Sequence, residues 1–231
     1  MPTRHQRLLF SASGLLGLGC ALAAAVATGL PCWVTGTVVC RSAAELVNAT
    51  GAELEQFRGR LSYGLFLAHK VKRCGLGERP ARVSVFPDLL GAIPAGLHVA
   101  VLFFCGAATL LSSVASGFFF FNALGRPYET LHGPTGLYLW SFTCGVCSCL
   151  VLVLFASEVN LHQLSDRIAN FNEGNVFRTH GEQYGRCFWL FLLVFLLHGL
   201  NMVLIRLAGI RFPFQDAKEA EPSGGAADLM Y

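Results

Sequence analysis

The 231-residue chain is 54% hydrophobic and only 13% charged, with a formal net charge of +3. That charged fraction is about half the usual one for soluble domains, and so small a cationic excess argues against a nucleic-acid partner. The length suits one four-helix unit and leaves no room for a second, catalytic domain.

Residues 8–30, 90–121, 135–156 and 187–205 contain no Asp, Glu, Lys or Arg. Each is close to or above the ~20 residues a helix needs to cross ~30 Å of hydrocarbon. None shows the one-sided periodicity of a helix at a water-facing surface. Four membrane-spanning helices are therefore predicted, at about 8–30, 90–121, 135–156 and 187–210. Arg4 and Arg7 before the first stretch, with Ala23, Ala25 and Ala27 inside it, resemble a signal peptide. Secretory apolar cores run only ~7–15 residues, so an uncleaved anchor is the better reading. Ser13, Gly17, Ala21, Ala25 and Gly29 recur at a spacing of four, a small-residue stripe that lets a neighbouring backbone come close. The neighbour is either another helix of the same bundle or another protein.

Residues 31–89 form the first polar segment. Trp33 stands where an amphipathic ring suits the membrane boundary. Strand-like runs at residues 33–39 and 82–86 flank a more helix-like part at 43–60, with Leu46, Leu54 and Phe57 apolar. Asn48-Ala49-Thr50 is the single glycosylation sequon. Cys40 and Cys74 lie on either side of the polar stretch, and a disulfide between them is expected if that side is oxidising. Cys32 and Cys187, at helix ends, are left as competitors or free thiols. The sequon and cysteines put this loop outside the cell and both termini in the cytoplasm. Its eight Lys or Arg run against the positive-inside tendency, which loses force for loops near ~60 residues.

Helix two carries a shorter small-residue run, Ala108, Ser112 and Ser116. Between helices two and three, Arg126, Pro127, Glu129 and His132 lie among Gly125, Gly133 and Pro134. Glu129 and His132 invite an acid–base reading, but no nucleophile or metal-ligand pattern accompanies them, and the glycines and prolines describe a tight turn. Cys144, Cys147 and Cys149 lie within an apolar helix and are read as packing residues rather than zinc ligands. No cofactor or metal is expected. Leu161, Leu164, Ile168 and Phe171 extend helix three as an amphipathic stretch within a second outer loop, residues 157–186. Its apolar face packs on the first loop or forms a partner-binding ridge. In helix four His198 and Asn201 are interhelical hydrogen-bonding groups, and Arg206 snorkels to the boundary. Helices one to three offer few polar groups beyond His98, so transport is not expected. Residues 213–231 form a polar tail ending Leu229-Met230-Tyr231, a pattern that fits a PDZ groove.

Several segments together resemble the clarin family in order and spacing. They include Leu46-Val47-Asn48-Ala49-Thr50, Tyr63-Gly64-Leu65-Phe66, Cys74-Gly75-Leu76-Gly77 and Phe86-Pro87-Asp88-Leu89-Leu90. Tyr128-Glu129-Thr130-Leu131-His132-Gly133-Pro134, Leu154-Phe155-Ala156-Ser157-Glu158-Val159 and Leu204-Ile205-Arg206-Leu207-Ala208-Gly209 extend the likeness, as does the Asp228-Leu229-Met230-Tyr231 ending. The resemblance implies a claudin-like all-α membrane fold, a left-handed four-helix bundle under a small extracellular β-sheet. Tetraspanins fit less well, because their large loop lies between helices three and four. Gly64-Leu65-Phe66 replaces the claudin Gly-Leu-Trp, and Cys40 and Cys74 straddle it instead of following it, which weakens the case for claudin-type strands and paracellular pores. The family's implied role is in sensory cells: hair bundles and ribbon synapses, photoreceptor maintenance, links to actin, and loss leading to Usher syndrome. The implied partners are the lipid bilayer, adhesion or channel proteins, a PDZ scaffold, and further copies in an oligomer. A non-enzymatic organiser is the leading expectation, an auxiliary subunit of an ion channel or a claudin-like junction protein the alternative.

Overall fold

The structure is a computed structural model describing residues 2–75, 77–125, 133–174 and 176–210. Arg126, Pro127, Glu129, His132, the tail and its Leu229-Met230-Tyr231 ending lie outside the described residues. The chain is mostly helical, with four long apolar helices and one small antiparallel sheet, as in a claudin-like tetraspan fold. The long helices are α1 (Arg4–Gly29), α3 (Ala95–Leu124), α4 (Pro134–His162) and α6 (Arg186–Leu207), each long and apolar enough to cross a membrane.

Three of the helices start before their charge-free stretches, whereas α3 starts inside its own, at Ala95. Thr3 caps α1 reciprocally with Gln6, so the helix begins at Arg4 rather than Leu8. The Gln6 side-chain amide then donates to the Ala208 carbonyl at 3.0 Å, tying the start of α1 to the end of α6. The helices neighbour one another in the cycle α1–α3–α4–α6. Gly17 lets α1 come within van der Waals contact of α3, where an added Cβ would sit 3.6 Å from the Ser116 Cα. Ser116 Oγ donates to the Gly14 carbonyl at 2.5 Å across the same seam. Between the small-residue runs of α1 and α3 it is backbone proximity, not bulk, that brings the helices together.

The stripe on α1 divides. Ser13, Gly17 and Ala21 are buried, whereas Ala25 and Gly29 are exposed. A spacing of four drifts by about 40° per step on a 3.6-residue helix, so the inward face continues through Ala24 and Ala27 instead.

One end of the bundle is covered by the sheet, in the order β4-β3-β2-β1-β5. Its strands are β1 (Val34–Cys40), β2 (Arg58–Tyr63), β3 (Leu67–Arg73), β4 (Glu78–Ser84) and β5 (Phe177–Tyr184). The helix-like reading of residues 43–60 is only partly right. A six-residue α2 (Arg41–Leu46) and a 3₁₀ turn (Gly51–Phe57) precede β2, and Leu46 points into solvent. The strand expected at 82–86 runs earlier, at Glu78–Ser84. The extension of helix three is not continuous either. Gln163 takes a left-handed conformation, φ 48° and ψ 49°, and redirects the chain into α5 (Leu164–Asn170). Leu161 lies before the break and is exposed, while Leu164, Ile168 and Ala169 pack beneath the sheet. The inward residues of β1, β2 and β3 join this layer and merge with the upper bundle in one apolar cluster.

Candidate functional site

The polar chemistry of this chain gathers where the sheet meets the helices. Trp33 is fully buried there rather than set at a membrane boundary. Its indole N–H donates to the Ala27 carbonyl at 2.8 Å, and its ring packs on Phe155 and Phe191 at centroid distances of 4.8 and 5.3 Å. One side chain thus joins α1, α4 and α6; truncating a buried Trp costs about 3–5 kcal/mol. Beside it, Cys32 is disulfide-bonded to Cys187. The Gly185 amide donates to the Trp33 carbonyl at 2.7 Å, and the Cys187 amide to the Cys32 carbonyl at 3.1 Å. The two helix-end cysteines are partners, a pairing that the sequence left open.

A second junction links α3, α4 and the turn after β2. His98 Nδ1 lies 2.8 Å from Glu158 Oε1, and its Nε2 lies 2.8 Å from the Leu65 carbonyl oxygen. Both side chains are buried. Carboxylate and carbonyl are both acceptors, so an imidazole with a proton on each nitrogen satisfies both. Leu65 is buried while Phe66 is half-exposed and leans on Phe86, which gives the departure from the claudin tryptophan a local setting. The sequence places Glu158 just past an apolar stretch and His98 inside another. Nothing in a single chain signals that residues 60 apart meet.

The third junction holds α5 to the sheet. Lys70, 1% exposed, sends its ammonium under β3 to the Ala169 carbonyl at 2.8 Å and to Glu173 Oε1 at 2.7 Å. Lys72 also pairs with Glu173. Burial pulls the Lys70 ammonium below the usual lysine range, with Glu173 opposing in part. Burial alone would raise the Glu173 carboxyl, but its bonds to Lys70 and Lys72 outweigh this and hold it below its ordinary value. The Tyr63 hydroxyl bonds Ser165 Oγ at 3.0 Å, and burial lifts it above the normal phenol range. Asp166 and Asn170 of α5 accept the Thr179 and Phe177 amides at 2.8 and 2.7 Å. These two side chains position β5, whose polar sequence gave no strand signal.

Cys40 and Cys74 are also disulfide-bonded, closing the first loop. Asn48 is exposed in a turn with φ 50°, open to modification. Within the bundle His198 Nε2 lies 2.9 Å from Ser112 Oγ, joining α6 to α3, whereas the buried Asn201 side-chain amide has no hydrogen-bond partner among the described residues. Cys144, Cys147 and Cys149 are free thiols, and no group of three His, Cys, Asp or Glu among the described residues could hold a metal ion. The three junctions hold the cap together and onto the bundle, although Glu158 Oε2 is buried with no hydrogen-bond partner among the described residues. What stays open for contact is the outward face of the sheet and the Asn48 corner.

A family model described as Clarin-2-like matches residues 5–205. The chain is 50% identical to human Clarin-1 over 232 residues, covering all of both proteins, and 49% identical to mouse Clarin-1 with the same coverage. Mouse Clarin-2 is 35% identical, again over the whole of both chains.

Proposed function

The chain belongs to the clarin family and is a multi-pass membrane protein, and from that premise we propose that it is a non-enzymatic organiser of membrane assemblies in sensory cells. It sits in the plasma membrane with both termini in the cytoplasm and the sheet outside, where Asn48 carries a glycan. It supports hair-bundle and ribbon-synapse organisation, hearing and balance, and photoreceptor maintenance. The cap meets adhesion or channel proteins outside, while the tail, through Leu229, Met230 and Tyr231, takes a PDZ scaffold and a link to actin inside. What carries the reading is likeness to Clarin-1 along the entire chain at half identity, supported by a cap whose buried polar groups serve fastening.

The experiment is proximity labelling in living hair cells with a biotin ligase on the N-terminus. Enrichment of stereociliary adhesion, transduction-channel and actin proteins is the expected result. Enrichment of junctional proteins alone would replace the reading with a barrier role. A channel whose gating kinetics change at constant density when this protein is removed would make it an auxiliary subunit instead.

A further inference from the structure

Four of the first loop's eight cations, Arg58, Arg60, Arg73 and Arg82, fall on one face of the sheet. Alternation puts Val34, Val38, Leu61, Tyr63, Ala68 and Lys70 on the buried face of the sheet, so their neighbours form the opposite, solvent face. Strand pairing aligns that face into rows across the strands. One runs Gln183–Thr35–Ser62–His69–Arg82 and the next His180–Thr37–Arg60–Val71–Pro80. In a third, Arg178 lies opposite Val39, which lies opposite Arg58. Between β5 and β3 the rows line a shallow groove of about 620 Å³.

Arginines outnumber carboxylates on this face. Arg58 pairs with Glu55 at 2.5 Å, and Arg73 pairs with Glu78. Arg60, Arg82 and Arg178 are exposed and have no carboxylate within ion-pair distance among the described residues. They stand on β2, β4 and β5, so at the usual strand spacing each lies about 10 Å or more from the next across the sheet. Between them lie the hydroxyls and amide of Thr35, Thr37, Ser62 and Gln183. The rows carry no Trp, Tyr or Phe, the residues that anchor protein–protein contacts.

We propose that the outward face of the sheet binds a linear sulfated polysaccharide. The chain crosses the strands along the groove, its sulfates or carboxylates meeting Arg178, Arg60 and Arg82 and its hydroxyls meeting Thr35, Thr37, Ser62 and Gln183. Spaced guanidinium forks match anionic oxygens bidentately, and the polar floor suits sugar hydroxyls better than an apolar side chain. This inference rests on the sheet facing outward from the cell, as proposed above, and otherwise stands apart from the sensory role.

The test uses the full chain in lipid nanodiscs, with heparin as the probe. Immobilised heparin retains the protein in a salt-sensitive way, and Arg60→Ser/Arg82→Ser/Arg178→Ser weakens binding about tenfold or more. Arg4→Ser/Arg7→Ser/Arg206→Ser, which removes the same charge from the other end of the bundle, leaves binding unchanged. All three arginines of the first set are exposed, so fold is checked by equal melting temperature and intact disulfides; if the triple variant fails that check, the single variants must each weaken binding about twofold. Unaltered binding by the triple variant, or equal loss in the far-end control, overturns the proposal. Equally tight binding of polyglutamate of matched length also overturns it, in favour of an acidic polypeptide. The glycosidase shift at Asn48 and its loss in Asn48→Gln read sidedness separately.

Discussion

At Gly185 a methyl group would stand 2.2 Å from the Cys32 carbonyl oxygen, and at Gly64 it would stand 2.4 Å from the carbonyl oxygen of Leu30. Both contacts are with backbone, which cannot swing aside. Gly185→Ala is therefore expected to destabilise the protein by roughly 1–3 kcal/mol, seen as a lower melting temperature, and an unchanged melt would remove the claim. Glu173 supports a second expectation. Its carboxyl is held below the ordinary value of 4.5, so the stability it contributes is complete above that value and is lost as pH falls through its lower folded one. Lys70 stays protonated throughout that range, so its burial penalty does not change the sign. Acidifying from pH 5 to pH 3 should lower the melting temperature less in Glu173→Gln than in the parent. At neutral pH Glu173→Gln strips a buried ammonium of its carboxylate, at a cost of about 3 kcal/mol, and Lys70→Met/Glu173→Gln recovers most of that. A double variant no better than the single would show that the charges themselves are not what matters. Lys70 also shows a limit of sequence reading: a lysine in mid-strand is assumed to face water, and only its neighbours reveal the carbonyls and carboxylate awaiting it.

Among the elements, the spanning helices were legible because nothing else needs twenty apolar residues in a row. The sheet was half legible. The run at 33–39 announced β1, but β5 is polar along most of its length and is fixed by Asp166 and Asn170 rather than by its own pattern. Trp33 was misplaced for a related reason, since position at a helix end suggests a boundary ring and only the fold supplies Phe155 and Phe191 around it. The α4–α5 break belongs to this scale too. Gln163 occupies a left-handed conformation that costs a side-chain-bearing residue roughly 1 kcal/mol. Gln163→Gly should raise the melting temperature and Gln163→Ile should lower it; the opposite order would mean that the break is not at Gln163.

For the molecule as a whole, two disulfides act on different lengths of chain. Cys40–Cys74 closes 34 residues within the first loop, and Cys32–Cys187 spans 155, from the end of α1 to the start of α6. Removing the long one should cost about 2–5 kcal/mol. Cys32→Ser alone also leaves a free Cys187 thiol, so Cys32→Ser/Cys187→Ser should yield more mature protein than either single variant. Equal yields would indicate that the stray thiol does no harm. The cations of the first loop follow a similar pattern: they are alike when counted along the sequence, and only strand register puts Arg58, Arg60 and Arg82 on one face and Lys70 on the other.

The place of β5 in the sheet has a consequence for how the protein is made. β1 leaves the ribosome more than a hundred residues before its neighbour Phe177–Tyr184, so during synthesis one of its edges stays unpaired until α3, α4 and α5 have all emerged. A chain that stops before residue 177 leaves that edge bare, where it is a template for wrong pairing and a flag for retention. Truncations late in this protein are thus expected to harm the earliest-made part of its cap, and their products to be held back before they reach the surface.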